Sequence, residues 1–138
     1  SLAPLAGAMD LVLVDAPCTG SGTWRRRPDA KWRLTPRQVE VRMAEQAAIL
    51  DKARSYVKPG GRLVYVTCSV FREENADQVT AFLRRTPDFQ PVDHAALWRA
   101  HHPDAADAAR LDQDCGLSLT PARSGTDGFF LAALLRRS

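Results

Sequence analysis

Two stretches decide the fold: residues 10–18, D-L-V-L-V-D-A-P-C, and residues 62–69, R-L-V-Y-V-T-C-S. Each is a short run rich in Val and Leu that ends in a polar residue and a cysteine. An apolar run of this length, with β-branched residues and turn signals after it, predicts a strand buried on both faces. Pro17 has no amide hydrogen and cannot continue a ladder, so the first strand, residues 11–15, is expected to stop at about Asp15. A long helical pattern separates the two runs. Strand, helix, strand is a βαβ unit, whose strands run parallel and close together in one sheet. Asp15, Cys18 and Cys68 then stand just past the carboxyl ends of their strands, the edge where open α/β sheets bind ligands.

Outward from these strands, residues 16–34 show no periodicity and form a loop far longer than the ~2–6 residues of an ordinary βα connection. A long ordered loop at the ligand edge of a sheet is a functional candidate. The helix begins at T-P-R-Q: Thr35 is the N-cap, Pro36 takes the first helical position and Gln38 completes a capping box. Val39, Met43, Ala47, Leu50, Ala53 and Val57 supply the apolar stripe, and Pro59-Gly60-Gly61 is expected to stop the helix. After Cys68, Glu73 and Glu74 fall where negative charge favours the first turn of a second helix. That helix carries Ala76, Val79, Phe82 and Leu83 on its apolar face and ends before Pro87. Residues 89–92 read as a short third strand and residues 129–135 as the last. Residues 93–118, which include Cys115, read as a surface excursion with a helical turn at 95–99.

The chain has 138 residues, enough for one domain with a core. No apolar run approaches the ~20 residues of a membrane helix, and residues 1–8 lack the basic flank of a signal peptide. Net charge is +3 and the pI about 9.0, compatible with a nucleic-acid partner. Three widely spaced cysteines argue against a disulfide framework, no C-x-x-C pair exists, and adjacent His101 and His102 do not make a zinc site. We therefore expect no metal and reduced thiols in a cytoplasmic protein.

A single cysteine in an apolar strand is ordinarily a small buried hydrophobe. Two at the ends of adjacent parallel strands, one flanked by Asp and Pro, suit covalent chemistry in which one thiol attacks and the other supports proton transfer or release. Asp15 either accepts hydrogen bonds from the loop that follows it or contacts the polar edge of a ligand. The segment W-R-R-R-P-D-A-K-W-R at 24–33 contains Arg25, Arg26, Arg27, Lys31 and Arg33 beside Trp24 and Trp32. It is either a solvated loop with its tryptophans packed inward or an RNA contact, where arginines neutralise phosphates and an aromatic face stacks on an unpaired base.

Together, D-A-P-C-T-G-S-G-T at 15–23, R-R-P-D-A-K-W at 26–32, P-G-G-R-L-V-Y-V-T-C-S at 59–69, E-E-N at 73–75 and T-D-G-F-F at 126–130 resemble the Sun (Fmu-like) family of RNA 5-methylcytosine methyltransferases. The resemblance covers most of residues 10–92 and 119–137, and the combination is specific where T-C-S alone would not be. It implies an α/β fold: the second half of a class I methyltransferase Rossmann-like domain, with a mostly parallel sheet and an antiparallel last strand. It implies S-adenosylmethionine as donor and a cytosine in ribosomal or transfer RNA as acceptor. Cys68 would be the nucleophile that adds to C6, Cys18 would help to release the product, and Asp15 would lie against cofactor and base. Arg25, Arg26, Arg27 and Lys31 are the expected RNA contacts. The Gly-rich loop and the acidic residue that hold the donor's ribose belong to the family's upstream half and are not among these 138 residues. The chain is thus expected to be the C-terminal part of the domain. Its first strand would be a central one left unpaired, an association hazard, so a homodimer or association with the upstream half is expected. The competing readings are a non-catalytic RNA-binding module using residues 24–33, and a DNA cytosine methyltransferase in which Cys18 attacks; the T-C-S cysteine and the loop after Cys18 argue against the second.

Overall fold

The chain passes through β1 (Met9–Asp15), a loop with a 3-10 turn at Ser21–Thr23, the short helix α1 (Ala30–Arg33) and the long helix α2 (Pro36–Ala53), and returns into β2 (Val57–Thr67). Next come α3 (Ala76–Arg85), β3 (Phe89–Pro91), α4 (His94–His101), β4 (Arg110–Leu111), β5 (Leu117–Leu119), α5 (Pro121–Ser124) and β6 (Phe129–Arg136). The structure, a computed structural model, describes residues 1–112 and 115–138. β1 and β2 pair in parallel, from Leu11 opposite Arg62 to Asp15 opposite Val66. β6 then runs antiparallel to β2, as expected of the last strand. The sheet order is β1-β2-β6-β5-β4, and β3 pairs with the far end of β6. β1, β2, β3 and β5 share one direction; β6 and β4 oppose it.

The long helix forms as its sequence dictates. The Thr35 hydroxyl accepts from the Gln38 amide and the Gln38 side chain accepts from the Thr35 amide. Leu50 and Ala53 of α2, Val79 and Phe82 of α3, and Leu63, Tyr65, Phe130 and Leu134 of the sheet make one buried cluster. Both helices therefore lie on the same face. Among the described residues no helix is long and apolar enough to cross a membrane.

Three expectations need correction. The first strand is not buried on both faces. Val14 is buried under the helices, but Leu11 and Leu13, which alternate with it, are 57% and 62% exposed. β1 is the edge strand, and nothing among the described residues covers its second face. Pro59-Gly60-Gly61 does not stop the helix, which ends at Ala53. It lies inside β2, where the register jumps from Met9 opposite Val57 to Leu11 opposite Arg62. Gly60 has φ +80°, and a Cβ on Gly61 would come within 2.9 Å of the Met9 carbonyl oxygen, so the bulge requires glycine at both places. Finally, Glu73 and Glu74 do not open the second helix. They belong to a 3-10 turn, Arg72–Glu74, and α3 starts only after Asn75. Within the expected surface excursion the helical turn is the two-turn α4, and Cys115 is buried, its thiol donating to the Asp112 carbonyl.

Candidate active site at the carboxyl ends of β1 and β2

The parallel register brings Asp15 opposite Val66, so the residues after each strand emerge side by side. The Ala16 amide still donates to the Val66 carbonyl, and Pro17 then ends the ladder. Two residues on, the Cys18 and Cys68 sulfurs are 3.4 Å apart, both half-buried. Burial pushes the Cys18 thiol up from 9.0 to about 11; the Gly20 amide opposes the shift and Cys68 adds to it. Cys18 therefore holds its proton at neutral pH and can donate it towards the Cys68 sulfur. Asp15 is exposed at the same edge, with no ion-pair partner among the described residues.

The loops that carry the thiols are fastened to each other. The Gly22 amide donates to the Cys68 carbonyl at 2.9 Å and the Val70 amide to the Ser21 hydroxyl at 2.9 Å. The Ser21 and Ser69 hydroxyls lie 3.0 Å apart. A Cβ on Gly22 would overlap the Gly128 carbonyl and come within 2.8 Å of the Cys68 carbonyl oxygen, so T-C-S, G-S-G and T-D-G-F-F meet where only glycine fits. Beneath them lies Glu74, fully buried. Its carboxylate accepts from the Thr19 amide and hydroxyl, the Ser69 hydroxyl and the Gln46 side chain, at 2.5–2.9 Å. Its carbonyl accepts from the Tyr65 hydroxyl at 2.6 Å. Asn75 accepts from the Thr67 hydroxyl and donates to the Ser69 carbonyl.

Reading the sequence missed Glu74, Gln46, Thr19 and Ser69. A polar Gln46 on the apolar side of α2 was the available signal, since a buried amide needs a buried partner.

The basic segment divides in two. Arg25 and Arg26 pair with Asp127, at 3.5 and 2.6 Å, and so fasten the loop to the start of β6. Arg33 pairs with Asp29 within the segment. Trp24 packs edge-on against Phe71, 5.7 Å between centroids, whereas Trp32 is 82% exposed. The Lys31 ammonium lies 5.5 Å from the Trp32 ring centre and 6.0 Å from that of Trp24. Beside them opens a concavity of about 410 Å³ whose lining includes Cys18, Thr19, Arg33, Arg37, Val41 and Arg42. Glu45 also lines this groove and pairs with Arg42, as Asp29 does with Arg33, so Arg37 is the lining arginine without an ion-pair partner among the described residues.

The family description "16S rRNA methyltransferase RsmB/F" matches residues 3–135. The chain is 43% identical over 128 residues to ribosomal RNA small subunit methyltransferase B of Salmonella newport (strain SL254), covering 93% of this chain and 26% of that protein. It spans about a quarter of the length of the curated relatives it matches. Among solved structures, one titled crystal structure of PH0851 superposes with a TM-score of 0.80 at 37% identity, over 94% of this chain and 27% of the other. NSun6 from Pyrococcus horikoshii with SFG superposes at 0.68 and 25% identity, over 91% of this chain and 29% of the other.

Proposed function

This chain belongs to the 16S rRNA methyltransferase RsmB/F family, and from that premise we propose that it is the C-terminal part of an S-adenosylmethionine-dependent domain that methylates C5 of a cytosine in ribosomal RNA through a covalent cysteine adduct. One observation carries the reading: the two thiols stand 3.4 Å apart at adjacent parallel strand ends. C5 of cytosine is a poor nucleophile. Addition of the Cys68 sulfur to C6 makes C5 enamine-like and able to accept a methyl group. S-adenosylmethionine, when bound, supplies that methyl group. Asp15 fits a place beside it, as an exposed carboxylate at the sheet's ligand edge that can accept from an amine of donor or base.

Release breaks the C5–H and C6–S bonds and restores the C5=C6 double bond. Cys18, which keeps its proton at neutral pH, hands it to the departing Cys68 sulfur as its own sulfur takes the proton from C5. On attack Cys68 gives its thiol proton up to solvent; on release the C5 proton reaches it by way of Cys18, so the cycle closes with the one net proton that methyl transfer liberates. Cys18 is thereby a relay and Cys68 the attacker, the opposite of the DNA-enzyme arrangement. For the RNA, Arg27 and Lys31 are the contacts retained from the basic segment, and Arg37 joins them from the groove beside Cys18. Arg25 and Arg26 already serve Asp127. A ribosomal RNA substrate supports a cytoplasmic location. The upstream residues of the full-length protein would complete the sheet beyond β1.

The deciding experiment is covalent trapping in the full-length protein. With S-adenosylmethionine and RNA containing 5-fluorocytosine, a denaturation-resistant adduct is expected on Cys68. Cys68→Ala abolishes both adduct and transfer, and Cys18→Ala lets an adduct build up on unmodified RNA. An adduct on Cys18 would reverse the roles. RNA bound without any adduct would return the groove to a simple binding module.

A further inference from the structure

We propose that Glu74 is a positioning residue that sets the separation of the two thiols by holding the Cys18 turn, the Cys68 turn and α2 on one carboxylate. The inference rests on the two-thiol reading above and extends it to a residue that touches neither sulfur. Thr19 directly follows Cys18 and Ser69 directly follows Cys68. One Glu74 oxygen accepts from both hydroxyls, Thr19 at 2.5 Å and Ser69 at 2.6 Å. The other accepts from the Thr19 amide at 2.9 Å and the Gln46 side chain at 2.8 Å. With two donors on each oxygen, the carboxylate has one orientation, and each thiol lies one residue from a fixed point.

Burial gives this arrangement its rigidity. A carboxylate away from water is tolerated only where donors replace its hydration, and a satisfied polar network of this kind specifies geometry more than it adds stability. Gln46 is itself held, because its side-chain oxygen accepts from Gln78 of α3, 3.3 Å away. The anchor is therefore the packed α2–α3 layer, and the carboxylate transmits that layer's position to two loops that are otherwise irregular.

Shape, not charge, is the quantity that matters, and the variants separate the two. In Glu74→Gln the side-chain oxygen can serve the Thr19 amide and Gln46, while the amide nitrogen donates to the Thr19 and Ser69 hydroxyls, which accept as readily as they donate. Glu74→Asp keeps the carboxyl group but is one methylene short of both loops. The assay is oxidation of the reduced full-length protein by diamide, a diazene that takes the two thiol hydrogens to become a hydrazine while the sulfurs join. Closure requires the sulfurs to approach from 3.4 Å to about 2.0 Å, so its rate reads their positioning without RNA or donor.

Glu74→Asp and Glu74→Ala are expected to slow closure about tenfold or more, Glu74→Gln to stay within about threefold, and iodoacetamide alkylation of each thiol not to fall in any of them. Methyl transfer at saturating RNA and donor should fall in the same order, with KM for RNA unchanged. If Glu74→Ala does not fold, Glu74→Asp carries the test, and Thr19→Val, which removes one hydroxyl contact on the Cys18 side, should also slow closure. Parental closure rates in folded Glu74→Asp and Thr19→Val would overturn the proposal and leave the Ser21–Ser69 contact as sufficient. Because closure is measured without substrate, a failed trapping experiment and a failed closure experiment cannot be mistaken for each other.

Discussion

Cys18 keeps a proton that an ordinary thiol would lose near pH 9. Burial is the larger cause of its rise to about 11, and the sign of the consequence follows. Between 9.0 and about 11 the folded chain retains a proton that the unfolded chain has released. This contribution to stability is complete below the unfolded value and is lost as the pH rises through that window. Alkylation of Cys18 by iodoacetamide, followed by peptide mass from neutral to strongly alkaline pH, should therefore turn up near 11 in the folded protein and near 9 in urea. The same inflection in both would remove the basis for Cys18 as a proton relay. The residues of the pair were legible in the sequence because strand ends are legible: an apolar run, then a polar residue, Asp15 or Thr67, and a cysteine close behind. Their 3.4 Å approach was not, because it is set by loops whose course depends on Glu74, Gln46 and Gly22, partners drawn from the rest of the chain.

The elements differ in how far their causes are local. α2 begins at a capping box formed within four residues, with the Gln38 amide 3.3 Å from the Thr35 hydroxyl and the Thr35 amide 3.0 Å from the Gln38 side chain. Thr35→Ala is expected to cost about 1 kcal/mol, read as a lower urea midpoint with an unchanged slope. An unchanged midpoint would mean that the packing of α2 on the sheet holds the helix without its cap. Because the cap is local, the sequence placed it to the residue. β2 shows the opposite. Its first residues, Val57 and Lys58, pass through a bulge at Gly60 that exists only because β1 lies alongside. Without the partner strand, Pro59-Gly60-Gly61 looks like a helix stop. The turn at Arg72–Glu74 failed for a similar reason: two adjacent glutamates suit a helix start, but Glu74 is drawn inward by the donors of three other segments.

At the scale of the whole molecule, the sheet is covered on one face and open at one edge. Leu11 and Leu13, at 57% and 62% exposure, stand on the uncovered face of β1, and Asp15 follows them in the alternation at the ligand edge. An exposed strand edge with an apolar face is a surface made to be covered, and this chain covers only 26–27% of the curated relatives it matches. The occupant we expect is the upstream part of the same full-length protein, not a second copy. One substitution tests this with and without the upstream residues. In the full-length protein Leu13→Lys should destabilise by about 1.5–3 kcal/mol, the value of a buried leucine, seen as a lower melting temperature. In residues 1–138 alone the same change should cost little and raise the monomer fraction in a sizing experiment, because it charges an exposed edge. If the full-length protein is indifferent to Leu13→Lys, the upstream residues do not pack on β1. The donor-binding half of the site would then have to face Asp15 from elsewhere.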